Sequence, residues 1–150
     1  MDLYSSFTTQ FIEKALDGHA LRQKAIASNL ANADTPDYHR QVVKFEGSLQ
    51  NALQKQSRHH QSRHTNGDEE LELNATHSKH TGFYSSEQFL AEIQPTVDVQ
   101  DESIRNDGNG VDMEREVVSM TKNAGKFSAL SNIEGRLMRA TKSVIKDAGG

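Results

Sequence analysis

The residues with the most obvious chemical capacity are the histidines. The chain of 150 residues holds 7 of them. His60 and His64 stand four apart, the spacing of one helix face, and His59 adjoins them; His77 and His80 stand three apart. Such a set invites a zinc site or a small metal-dependent hydrolase. No cysteine accompanies it, and a metal site draws on converging acidic or outer-shell partners. Among Arg58, Arg63 and Lys79 the segment reads instead as a solvated loop, so neither metal nor cofactor is expected. The run "DGNGVDMERE" has some of the residue types of a calcium loop. Its oxygen ligands miss the alternating positions and no Glu holds the twelfth. The glycines precede no Lys-Ser/Thr pair, so there is no phosphate loop. Ser, His and Asp all occur, but their spacing assembles no triad. The chain reads as a non-enzyme.

Composition narrows the classes further. Hydrophobic residues make up 34% of the chain, aromatics 6%, and there is no Trp, a lean supply for a core and a sign of marginal stability alone. The net charge of −4 gives no reason to expect nucleic acid. Without cysteine there are neither disulfides nor thiolate chemistry. The N-terminus lacks the basic start and unbroken apolar run of a Sec-type signal peptide, and no apolar run approaches membrane-spanning length. On these grounds the chain is expected to be soluble and cytoplasmic, unless it leaves the cell by a route that needs no cleaved signal.

The elements that would position any site lie mainly at the two ends. From Ser6 to Ala31, apolar residues including Ile12, Leu16, Ile26 and Leu30 recur at helical steps, with His19 and Gln23 breaking the stripe. A second stripe follows Asp112: Met113, Val117, Met120, Ala124, Phe127, Leu130, Ile133, Leu137, Ala140 and Val144. Asp112 suits an N-cap, and Glu114 and Glu116 suit the positive end of the helix dipole. Between them the pattern predicts a short helix over Val42–Gln56, a polar loop from Lys55 to Gly82, and one or two short strands within Phe83–Val99. The expected fold class is mainly α. The long N- and C-terminal helices pair as a coiled coil, with a short helix, loops and a small irregular β region between. Residues 1–33 and 111–148 would form one discontinuous helical core domain, and 34–110 the middle segment. The near-heptad stripes are patterns for packing on another helix, in the same chain or in another.

The first helix ends on "SNLANADTPDY". Asn32 and Asp34 tolerate turn conformations, and Thr35 is pushed from the α region by Pro36. Pro36-Asp37 fits the centre of a type I turn, from which Tyr38 can fold back on the helix end. Ala25, Ala27, Ser28 and Ala31 keep that end slim. A helix stop needs only two or three such residues, so the run is more specific than a stop requires.

The segment "ASNLANADTPDYHRQVVKFEGSLQNAL" resembles the N-terminal signature of the rod and hook proteins of the bacterial flagellum, a helix ending in Ala-x-Asn-x-Ala-Asn-x-x-Thr-Pro-Gly-Tyr. Asn29, Ala31, Asn32, Thr35, Pro36 and Tyr38 carry the match. "SIRNDGNGVDMEREVVSMTKNAGKFSALSNIEGRLMRA" is similar to the C-terminal block of the family's proximal rod members, with Asp107, Gly108, Asn109 and Asp112 in order, and Asn123 followed by Phe127. Asp37 stands where the family has Gly, which argues against positive φ there; Phe127 stands where Tyr is common. The resemblance implies a structural subunit of the basal-body rod, the drive shaft between the inner-membrane ring and the hook. Such a subunit is exported unfolded by the flagellar type III apparatus and assembles in the periplasm. Its implied partners are copies of itself, other rod proteins, and the adaptor protein and export gate at the rod base. The packing surface would be Ile12, Leu16, Ile26, Leu30, Val117, Met120, Phe127, Leu130, Leu137 and Val144, with helices frayed until neighbours cover them. A helical adaptor or chaperone of a secretion system is the competing class.

Overall fold

The computed structural model describes residues 3–64, 90–100 and 110–148, and side chains over 7–58, 90–100 and 110–146. Among the described residues the main elements run in the order α1 (Leu3–Ala31), β1 (Arg40–Lys44), α2 (Glu46–His64), β2 (Thr96–Gln100) and α3 (Met113–Ala148). The fold is mainly α, with a two-stranded sheet between long terminal helices, as the sequence predicts. At 36 residues α3 would be about 54 Å long.

Three local expectations need correction. Val42–Lys44 belongs to a strand, not to a helix. The adjacent β-branched pair Val42-Val43 favours extended backbone, and β2 satisfies it with the register Val43↔Val97. The middle helix starts only at Glu46 and reaches His64, so His59, His60 and His64 lie on a helix rather than in a loop. Of the strands expected in Phe83–Val99, one is present after Pro95; residues up to Phe89 lie outside the described residues, as do His77, His80, Asp107, Gly108 and Asn109. Finally, Asp37 has φ 57°, the left-handed region that a type I turn never enters. Aspartate tolerates that region better than most residues, so it can stand where a glycine would serve.

The apolar core lies between α1 and the middle of the chain. Phe7 packs with Ala52, Leu90 and Ile93, with Phe11 and Leu49 alongside. Phe7 and Phe11 stack with ring centres 5.9 Å apart. A second cluster joins Ala25 of α1 to Val43 and Phe45, flanked by Leu21 and Leu49. Phe45 sits so close to α1 that a Cβ on Gly18 would lie 2.6 Å from its ring. Helix α3 lies antiparallel along α1, fixed by the contacts His19–Asn123 and Asn29–Glu116. That register places Leu3 level with about residues 139–142, so the last turns of α3 run beyond the start of α1.

Candidate functional site: the joint between the terminal blocks

The end of α1, the start of β1 and the first turns of α3 meet in a buried polar joint. Asn29 is fully buried and its amide is saturated. Nδ2 donates to Gln41 O at 2.9 Å and to Glu116 Oε2 at 3.3 Å. Oδ1 accepts from Gln41 N at 2.8 Å and from the Tyr38 hydroxyl at 3.4 Å. The amide thus offers Gln41 the donor and acceptor that a neighbouring strand would supply. It closes this part of the outer edge of β1, where unpaired groups would invite another strand.

Glu116 is 0% exposed and pairs with Arg40, itself only 13% exposed. A carboxylate that deep is tolerated only with partners, and it has the Arg40 Nε–H and the Asn29 amide. The order of the chain explains the arrangement. Asp112 Oδ1 accepts from Arg115 N at 3.2 Å, which starts α3 with an N-cap. Glu116 then falls one turn in, facing α1. Just before the cap, Gly110 N donates to Tyr38 O at 3.0 Å, and Val111 is completely buried. The turn itself is held from within: Asn32 Nδ2 donates to Ser28 O at 2.8 Å, capping α1, and Thr35 N donates to Asn32 O at 3.0 Å. Tyr38 folds back so that its hydroxyl lies 3.2 Å from Ser28 Oγ.

Farther along the same seam, His19 and Asn123 form a second polar layer. His19 Nδ1 donates to Asn123 Oδ1 at 2.7 Å, while Asn123 Nδ2 donates to His19 O and to Gln23 Oε1, both at 2.9 Å. The two residues that break the apolar stripe of α1 are therefore the ones that set the register of α3. A polar layer in a helix seam penalises slippage, since any shift strands buried donors.

Phe45 sits at the centre of a third set of contacts. His19 meets its edge with centroids 5.0 Å apart, and the Arg22 guanidinium lies 4.6 Å over its face. Arg22 also grips Glu46 in a fork of 2.5 and 2.7 Å and donates to Val43 O at 2.6 Å. The Arg22 fork is the main cause that holds the Glu46 carboxyl down to about 2. A carboxyl lowered on folding stabilises the fold above its unfolded value of about 4.3, and that contribution fades as pH falls towards 2. Glu46 is 55% exposed, so solvent screening holds the effect to ~1 kcal/mol or less. The stability gap between the parent and Glu46→Gln should narrow between pH 5 and pH 2 in urea melts. A gap that stays constant over that range would show that Arg22 does not act on the charge.

The residues that the resemblance singles out fall into two groups. Asn29, Asn32, Thr35 and Tyr38 make contacts of the joint, and Asp112 caps α3. Ala31 and Pro36 are exposed. Of the packing residues, Ile12 and Ile26 are buried inside the chain, while Leu16, Leu30, Met120, Leu130 and Leu137 are half-buried. Val117 is 50% exposed, Phe127 39% and Val144 68%. Sequence reasoning passed over the Arg40–Glu116 pair, the strand-like role of Asn29 and the Gly18–Phe45 contact. A glycine inside a 29-residue helix was the available signal for the last, since it costs helix stability unless something needs the space.

Among the described residues no cluster of three or more potential metal ligands occurs. The joint locks two distant parts of the chain into one register. A family described as flagella basal body rod protein matches residues 11–39, the stretch that runs through Asn29 to Tyr38. The flagellar basal body rod protein FlgB of Borrelia hermsii is 32% identical over 87% of this chain and 90% of its own length. That of Escherichia coli is 30% identical over 85% and 86%, and that of Bacillus subtilis 29% identical over 97% of each. The chain belongs to the FlgB family of flagellar basal body rod proteins.

Proposed function

We propose that this chain is a subunit of the proximal rod, exported by the flagellar type III apparatus and polymerised with copies of itself and other rod proteins to form part of the torque-transmitting shaft. The observation that carries this reading, beside family membership, is the exposed apolar surface of α3. Val117, Ile133, Met138, Val144 and Ile145 are each about half exposed or more, and α3 outruns α1 at its C-terminal end. So many large apolar groups left exposed on one helix call for partners. Among the described residues no helix is long and apolar enough to cross a membrane. The lean composition also favours a fold that unravels for passage through a narrow channel and is consolidated by neighbours afterwards.

The test is complementation of cells that lack their own copy. Ile133→Asp and Val144→Asp should each abolish swimming and incorporation into isolated hook–basal bodies, while the variant chain is still exported. Both positions are exposed in the single chain, so folding should change by no more than about 0.5 kcal/mol. Normal swimming with both variants would overturn the assignment of these residues to an assembly surface.

A further inference from the structure

A groove of about 260 Å³ opens between α1, β1 and α3, on the side where α3 crosses the strand. It is below the size of an ordinary small-molecule pocket and suits a side chain or two from another macromolecule. Ala25, Ile26 and Val42 supply apolar wall. Its charged lining residues are all basic. Two of them are committed: Arg22 to Glu46 and Arg40 to Glu116. The other two, Lys122 and Lys126, are exposed, one helical turn apart on α3, and form no ion pair among the described residues. In a chain with net charge −4 this is a local excess of positive charge beside an apolar wall.

The complementary surface lies on the same chain but faces elsewhere. Glu13 and Asp17 of α1 are exposed, also one turn apart, and likewise form no ion pair among the described residues. Ala20, on the next turn of the same helix, is exposed too and keeps the surface slim, so another backbone can approach to within about 8–10 Å. Both pairs span about 6 Å along their helices, so the two carboxylates can meet the two ammonium groups together. They cannot do so within one chain, because at 100° per residue Glu13 and Asp17 lie about 120–160° round α1 from His19, which is the side that meets α3.

We propose that the α1/β1/α3 groove receives the Glu13–Asp17 face of a second copy. The inference rests on the rod-subunit reading and names one of the contacts by which copies join. The patches on the two sides differ, so the contact is heterologous. Repeated, it gives an open helical series or a ring rather than a two-fold dimer. The ion pairs lie at the rim, so the association weakens as salt rises through the physiological range.

Charge reversal tests this on the full-length chain. K122E/K126E and E13K/D17K should each weaken concentration-dependent association in analytical ultracentrifugation at least tenfold. A one-to-one mixture of the two should recover it, because each reversed face then meets a reversed partner. The chain has no native cysteine, so Glu13→Cys and Lys126→Cys copies can be mixed and oxidised, and a disulfide-linked heterodimer is expected. Unchanged association in both reversed variants, or a mixture that recovers nothing, would overturn the proposal. Loss of swimming in both variants with association between copies unaltered would also overturn it and assign the groove to a different rod component. The failure of this contact is separable from failure of the rod reading. If the charge variants swim normally but Ile133→Asp does not, only the groove assignment falls; if the parent chain itself fails to restore swimming in cells that lack their own copy, the rod reading falls.

Discussion

Glu116→Ala should destabilise the folded chain by about 3–5 kcal/mol in urea melts, the cost expected when one member of a buried ion pair is removed. Arg40 would be left 13% exposed with no counter-charge, and the Asn29 amide would lose one of its two acceptors. The loss comes from stranding charge, not from deleting attraction, and a second variant separates the two. Arg40→Met with Glu116→Leu removes both charges together and should cost less than Glu116→Ala alone, since apolar replacements of a buried pair are often near neutral. If Glu116→Ala melts within about 0.5 kcal/mol of the parent, the pair does not hold α3 in place.

Gly18→Ala should also destabilise, against the usual direction. In an exposed helix interior that change gains about 1 kcal/mol from propensity. Here the new Cβ would stand 2.6 Å from two carbons of the Phe45 ring. The ring is 2% exposed and confined by the His19 edge and the Arg22 face, so it cannot swing aside. Overpacking costs of about 1–3 kcal/mol outweigh the propensity gain, and Gly18→Val should do worse than Gly18→Ala. Adding Phe45→Leu to Gly18→Ala should recover part of the loss, a coupling that a double-mutant cycle reads directly. A Gly18→Ala protein more stable than its parent would show that Phe45 does not press on α1.

The two long helices were legible in the sequence because their apolar residues repeat at helical steps, and the helix stop because Asn32, Asp34, Thr35 and Pro36 each act locally. The pairing partner was harder to read. Heptad-like stripes suggest an apolar seam, yet Phe7 and Phe11 of α1 pack with Ala52, Leu49, Leu90 and Ile93, and the register of α3 is set by polar bonds among His19, Asn29, Asn123 and Glu116. Glu116 illustrates the difficulty. Its place in the first turn of α3 is explained equally well by the helix dipole, and nothing in sequence spacing says that Arg40, 76 positions earlier, turns to meet it. Val42-Val43 failed for a related reason. The four-residue spacing of Phe45, Leu49 and Leu53 carried the helix too far upstream, whereas the strand depends on Thr96–Gln100, far away in the chain. Asp37 was read as a type I turn because it lacks the glycine of its family, but the backbone keeps the left-handed geometry and aspartate bears the strain.

The pairing of β1 with β2 has a consequence for how such chains can change. Its register, from Arg40↔Gln100 to Lys44↔Thr96, is set by the strands and by Val43 in the core, not by a tight turn between them. This pairing closes the base of the stretch of sequence that joins the two strands. Lengthening such an excursion costs little, about 0.6 kcal/mol for each doubling of a flexible loop. The pairing is therefore a natural grafting point: residues added between β1 and β2 need not alter the register of the strands or of the terminal helices.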